Sequence, residues 1–159
     1  MIPAASHAFA LVLAVALDCR LADARVEAAI ARKAASLKAD EYCQFRHYEA
    51  MSDLDGDGKN DLVVLFNVEP REGNDHLGFL AVFLSSDPAG AEPLMAATGG
   101  RGERDAVSID VKGRRIELGT LEYEPSDPMC CPSGKGTLVF ELKDRALAPV
   151  KVKKSAKRR

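Results

Sequence analysis

From residue 44 onward the chain alternates short β-type runs with turn residues, and no stretch of helical period falls between them. The runs cover 44–51, 62–69, 77–85, 92–98, 106–112, 115–123, 136–142 and 146–152, each rich in alternating, β-branched or aromatic residues. Parallel neighbours need a crossover, usually a helix, and none is available here. Antiparallel pairing therefore follows. Turn signals stand where such a meander needs them: Asn74-Asp75, Asp87-Pro88-Ala89-Gly90, the glycine-rich 99–102, Lys112-Gly113-Arg114 and Asp144-Arg145. Before these runs, residues 25–38 place Val26, Ile30, Ala34 and Leu37 near helical spacing among good helix formers. The fold class expected is mainly β within the α+β group. One N-terminal helix packs on an antiparallel β meander, built as one curved sheet or as a small sandwich. No internal repeat of 20–50 residues occurs.

A chain of 159 residues fits one domain with a real core. Residues 8–17 (AFALVLAVAL) form an apolar run too short to cross a bilayer as a helix, and Leu21-Ala22-Asp23-Ala24 follows with small residues at the A-x-A positions. This reads as a signal peptide over 1–24, although His7 stands where Lys or Arg is usual. A buried N-terminal helix and lipidation at Cys19 are the other readings; Asp18 argues against the second. The expected organisation is 1–24 signal peptide, 25–150 globular domain and 151–159 basic tail. The product is then periplasmic or secreted, with no transmembrane span in the mature chain.

Charge is unevenly placed. The tail carries six of the 22 basic residues, and the body from 25 to 150 holds 15 basic against 22 acidic residues. An acidic body repels nucleic acid, so no nucleic-acid partner is expected. A protein or glycan of the cell envelope is the partner class that export leaves.

The sequence Asp53-Leu54-Asp55-Gly56-Asp57-Gly58-Lys59-Asn60-Asp61 places carboxylates at positions 1, 3, 5 and 9 of one loop. Four carboxylates so close repel one another unless a cation sits among them. Calcium takes 6–8 oxygen ligands, Gly58 permits the sharp turn at position 6, and the Lys59 carbonyl offers another oxygen. With no His or Cys in the loop, transition metals fit less well. An acidic turn without metal is the plainer alternative. Position 12 is Val64 rather than the bidentate Glu of an EF-hand. The pattern D-x-D-x-D-G-x-x-D running straight into an apolar strand resembles the calcium-loop hairpins of FG-GAP and VCBS repeats. The resemblance covers about 20 residues and implies Asp53, Asp55, Asp57 and Asp61 as side-chain ligands, with Lys59 binding through its backbone. A propeller needs several such repeats, and this chain has one.

Export makes at least one disulfide the default. Removal of residues 1–24 leaves Cys43, Cys130 and Cys131, an odd number. Cys43 is the one distant partner, so a bridge from it to Cys130 or Cys131 is expected. A vicinal Cys130–Cys131 bond and a thiolate metal site completed by Cys43 are the alternatives. A redox dithiol of C-x-x-C spacing is absent. The stretch TLEYEPSDPMCCPSGKG also resembles a segment of small uncharacterised exported bacterial proteins, which implies no known activity.

Catalytic constellations are hard to find. His47 reads as a strand residue and His76 as a turn residue, while Glu122 and Glu124 alternate on one strand face. No G-x-S-x-G, H-E-x-x-H or phosphate-cradling loop occurs. The function expected is that of an exported, non-catalytic calcium-binding module, not an enzyme. The alternative is an envelope hydrolase or thiol-redox accessory working near Cys130, Cys131 and Glu124.

Overall fold

A computed structural model describes residues 23–42 and 46–151. Helix α1 (Ala24–Ser36) begins where Asp23 caps it, the carboxylate accepting the Arg25 backbone N–H at 2.9 Å. It ends at Leu37, after which Lys38 turns the chain with φ +50°. Nine strands follow among the described residues: β1 (Ala39–Glu41), β2 (His47–Ser52), β3 (Asp61–Pro70), β4 (Leu77–Phe83), β5 (Leu94–Gly100), β6 (Arg104–Lys112), β7 (Arg115–Glu122), β8 (Gly134–Lys143) and β9 (Ala146–Val150). Every pairing is antiparallel, and β3 through β9 follow one another in sequence order. The mainly β fold with one helix on a meander is therefore present. All eight expected strands are found, and only the three-residue β1 is additional.

Strands β1 and β2 share one edge of β3, the first against Val68–Pro70 and the second against Asp61–Leu65. The buried Arg46 side chain, 3% exposed, pairs with both Glu41 and Glu27, tying the start of β2 to β1 and α1. Period-two alternation then divides the core into two layers. Val64, Phe66, Val68, Phe79, Ala81 and Phe83 face Val26, Ala29, Ile30 and Ala34 of the helix. Val63, Leu65, Leu80 and Val82 point the other way, onto Ala106, Ile116, Leu118, Phe140 and Leu142. Strands β3 and β4 are thus covered on both faces, which is why they read as continuous apolar runs. Full burial of each large side chain contributes about 1.5–3 kcal/mol.

That second layer exists because the sheet turns back over itself. Strands β5 and β6 share a single register pair, Gly100 with Arg104. At this corner Gly99 has φ +141°, and a Cβ there would lie 2.5 Å from the Arg104 carbonyl oxygen. Only glycine fits. The two shapes allowed by the sequence merge: one continuous sheet, folded into a sandwich and backed by α1. Two tight hairpins close the far end, Gly113-Arg114 between β6 and β7 and Asp144-Arg145 between β8 and β9. Asp144 and Arg145 have φ +49° and +56°, the left-handed pair that a two-residue hairpin favours.

Among the described residues no helix is long and apolar enough to cross a membrane. The expected signal peptide (save its last two residues), Cys43 and the tail beyond Lys151 lie outside the described residues. Asp23 and Ala24, the cap and first residue of α1, fall inside the segment expected to be removed.

Candidate metal centre

The acidic loop joins β2 to β3, and Ser52 and Asp61 face each other across its base. Asp53 organises the turn. One of its oxygens accepts the N–H groups of Gly56 (2.7 Å) and Asp57 (3.1 Å), the other that of Gly58 (2.9 Å). Gly58 sits at φ +83°, a conformation that costs an L-residue about 1–2 kcal/mol. Leu54, fully buried in the second core layer, holds the loop down from inside.

Asp61 is 1% exposed and both its oxygens are engaged. One accepts the Leu54 N–H at 2.7 Å, the other the Ser85 N–H at 2.8 Å. Asp55 accepts the Asp57 N–H at 3.1 Å and the Ser86 hydroxyl at 2.6 Å. The Ser86 hydroxyl bond is the main reason the Asp55 carboxyl titrates below its ordinary value, with the Asp57 N–H and the fields of Arg114 and Arg145 adding to it. Carboxylate oxygens of Asp53, Asp55 and Asp61 lie within 4.8 Å of one another, a group able to hold a metal ion. Asp57 stands outside that group. Its carboxylate accepts the Lys59 N–H at 2.8 Å and the Ser85 hydroxyl at 3.3 Å. Lys59 is exposed on the loop.

Beside the loop an open hollow of about 270 Å³ is bounded by Asp55, Asp57, Leu84, Leu142, Arg114 and Arg145. The two arginines come from the hairpin turns β6–β7 and β8–β9, and they set positive charge against the acidic loop. Arg145 also pairs with Asp87. Nothing in the sequence marks Ser85, Ser86, Arg114 or Arg145 as neighbours of the acidic loop. The serines sit at the end of an apolar strand and the arginines in ordinary hairpin turns, so only the folded sheet brings them to the loop.

The chain matches no protein-family model, no curated protein and no solved structure. The likeness to calcium-loop hairpins rests on the loop residues alone.

The cysteines depart from the expected pairing. Cys130 and Cys131 are bonded to each other, which occupies both sulfurs proposed as partners of Cys43. The physical reason is local. The loop from Glu124 to Ser133 closes on its own hydrogen bonds and turns its adjacent cysteines outward, to solvent. The remaining candidates have structural surroundings. His76 Nε2 pairs with Asp105 beside the sheet corner, a partner that sequence alone did not indicate. Glu122 and Glu124 fold over Gly136 and Gly134 of β8. His47 lies in β2, and its side chain is outside the description.

Proposed function

We propose that the protein binds one calcium ion in the 53–61 loop and serves as an exported, non-catalytic binding or structural module of the envelope or extracellular space. One observation carries the reading: three carboxylates of a D-x-D-x-D-G-x-x-D loop converge within 4.8 Å. Ligands on opposite sides of a calcium ion stand about 5 Å apart, and the donors here are all hard oxygens. Asp53, Asp55 and Asp61 would supply the first carboxylates. Asp57 and the Lys59 carbonyl would complete the set that the loop pattern implies. The ion neutralises charges that the backbone already gathers, and it fixes the loop to β3 and β4 through Asp61.

The non-catalytic reading rests on the sequence, in which no G-x-S-x-G, H-E-x-x-H or phosphate-cradling loop occurs. A protein or glycan of the envelope is the partner class proposed. Calorimetric titration of the purified full chain with calcium tests the site. A single binding event, with magnesium much weaker, is expected; no heat with either ion would overturn the reading.

A further inference from the structure

We infer that the Cys130–Cys131 bond is a site of reversible thiol–disulfide exchange with a dithiol reductant, and not a staple of the fold. This stands independently of the calcium reading.

The stabilisation a disulfide gives grows with the length of chain it closes. A bond between neighbours closes none, so it adds almost nothing to stability by that route. The loop also holds its shape without it. The Asp127 carboxylate accepts the N–H groups of Glu124 and Ser133, each at 2.8 Å, and the Ser133 hydroxyl at 2.7 Å. The Asp127 N–H returns to the Glu124 carbonyl at 2.9 Å, and the Cys131 N–H reaches the Pro128 carbonyl at 3.0 Å. Tyr123 donates its hydroxyl proton to the Met129 carbonyl at 2.9 Å. Six hydrogen bonds thus brace the turn from both sides of the cysteines.

Cys130 and Cys131 are both exposed, and Met129 beside them is the one large apolar side chain exposed among the described residues, at 54%. Exposed disulfides are reduced more readily than the structural bonds of secreted proteins, and labile, regulatory or catalytic bonds are drawn from them. A braced, outward-facing pair of sulfurs meets the access requirement of exchange. In the step itself, a thiolate of the donor attacks one sulfur, breaking the Cys130–Cys131 bond and releasing the other cysteine as a thiolate. The donor's second thiol then attacks the mixed disulfide. Two electrons and two protons pass to the cysteines, leaving two thiols here and a disulfide on the donor.

The loop joins the end of β7 to the start of β8, whereas Arg114 and Arg145 stand at the other ends of these strands, beside the acidic loop. Eight residues of β7 separate the two ends by about 25 Å. Exchange should therefore leave the metal centre undisturbed.

The experiment treats the oxidised full chain with dithiothreitol under native conditions, traps thiols with iodoacetamide and maps the peptides by mass spectrometry. Melting curves are recorded in parallel. The expected result is double alkylation of the peptide holding Cys130 and Cys131, a melting temperature unchanged within about 2 °C, and return of the bond with oxidised dithiothreitol. The double variant Cys130→Ser/Cys131→Ser should melt like the reduced protein and lose that alkylation. Three results would overturn the proposal: reduction only where the protein unfolds, a melting temperature several degrees lower once reduced, or a peptide joining Cys43 to Cys130 or Cys131.

Discussion

Asp61, the first residue of β3, accepts the backbone N–H of Ser85, just beyond the end of β4, at 2.8 Å. Its second oxygen takes the Leu54 N–H at 2.7 Å. One buried carboxylate thus binds the acidic loop, the strand that follows it and the neighbouring strand's exit. Asp61 has a structural role in addition to any ligand role, and the two are separable by experiment.

With chelator present, Asp61→Ala should cost about 3 kcal/mol, because two backbone donors lose a charged acceptor. Asp57→Ala under the same conditions should cost less than about 1 kcal/mol, since that side chain is exposed. Urea unfolding of both variants checks this. Equal losses would contradict the assignment of Asp61 as the residue that ties the loop to the sheet.

Gly99→Ala should destabilise by about 2–4 kcal/mol. The new Cβ would meet the Arg104 carbonyl at 2.5 Å, and the backbone sits at φ +141°. A variant that unfolds at the wild-type urea concentration would show that the corner between β5 and β6 can open without loss.

Asp127 gives a pH dependence with a definite sign. The N–H of Glu124, followed by the hydroxyl and N–H of Ser133, holds its carboxyl below the ordinary aspartate value. A depressed folded pKa adds stability above the unfolded pKa of about 4, lost as the pH falls through the lower folded value. Melting temperatures measured from pH 5 downward should therefore drop less steeply for Asp127→Asn than for wild type. Parallel curves would contradict the loop-bracing role.

Processing can be read from mass. The exported fraction is expected to begin at Arg25, and an intact Met1 there would contradict export through a cleaved signal. Because Asp23 caps α1, a recombinant chain beginning at Asp23 should be more stable than one beginning at Arg25 by about 1 kcal/mol.

Much of the fold was legible because its signals are local. Short continuous apolar runs in 62–69 and 77–85, bounded by turn residues, mark strands, and Lys112-Gly113-Arg114 marks a hairpin whatever lies around it. β1 was missed because three residues, Ala39-Asp40-Glu41, carry no pattern of their own and pair only because β3 offers an edge. The choice between curved sheet and sandwich was hidden in the close approach of Gly99 to Arg104, a contact between backbones. At the candidate metal centre the carboxylates were visible as spacing, but Ser85 and Ser86 reach them from the turn that follows β4. The Cys43 bridge was favoured because Cys43 is the one distant partner that sequence offers. Cys130 and Cys131, neighbours in sequence, are bonded to each other instead, within a loop that closes on Asp127.

The central claim is that the 53–61 loop is a calcium site coupled to the fold. The direct measurement is a melting curve of the full chain with excess calcium and with chelator, for wild type and Asp55→Ala, alongside calorimetric titration. An ion that binds only the folded state adds about 2.7 kcal/mol at a hundredfold excess over Kd. Wild type should melt several degrees higher with calcium, and Asp55→Ala should lose most of that gain. Superimposed wild-type transitions with and without chelator, together with no heat of binding, would contradict the claim and leave the loop an acidic turn.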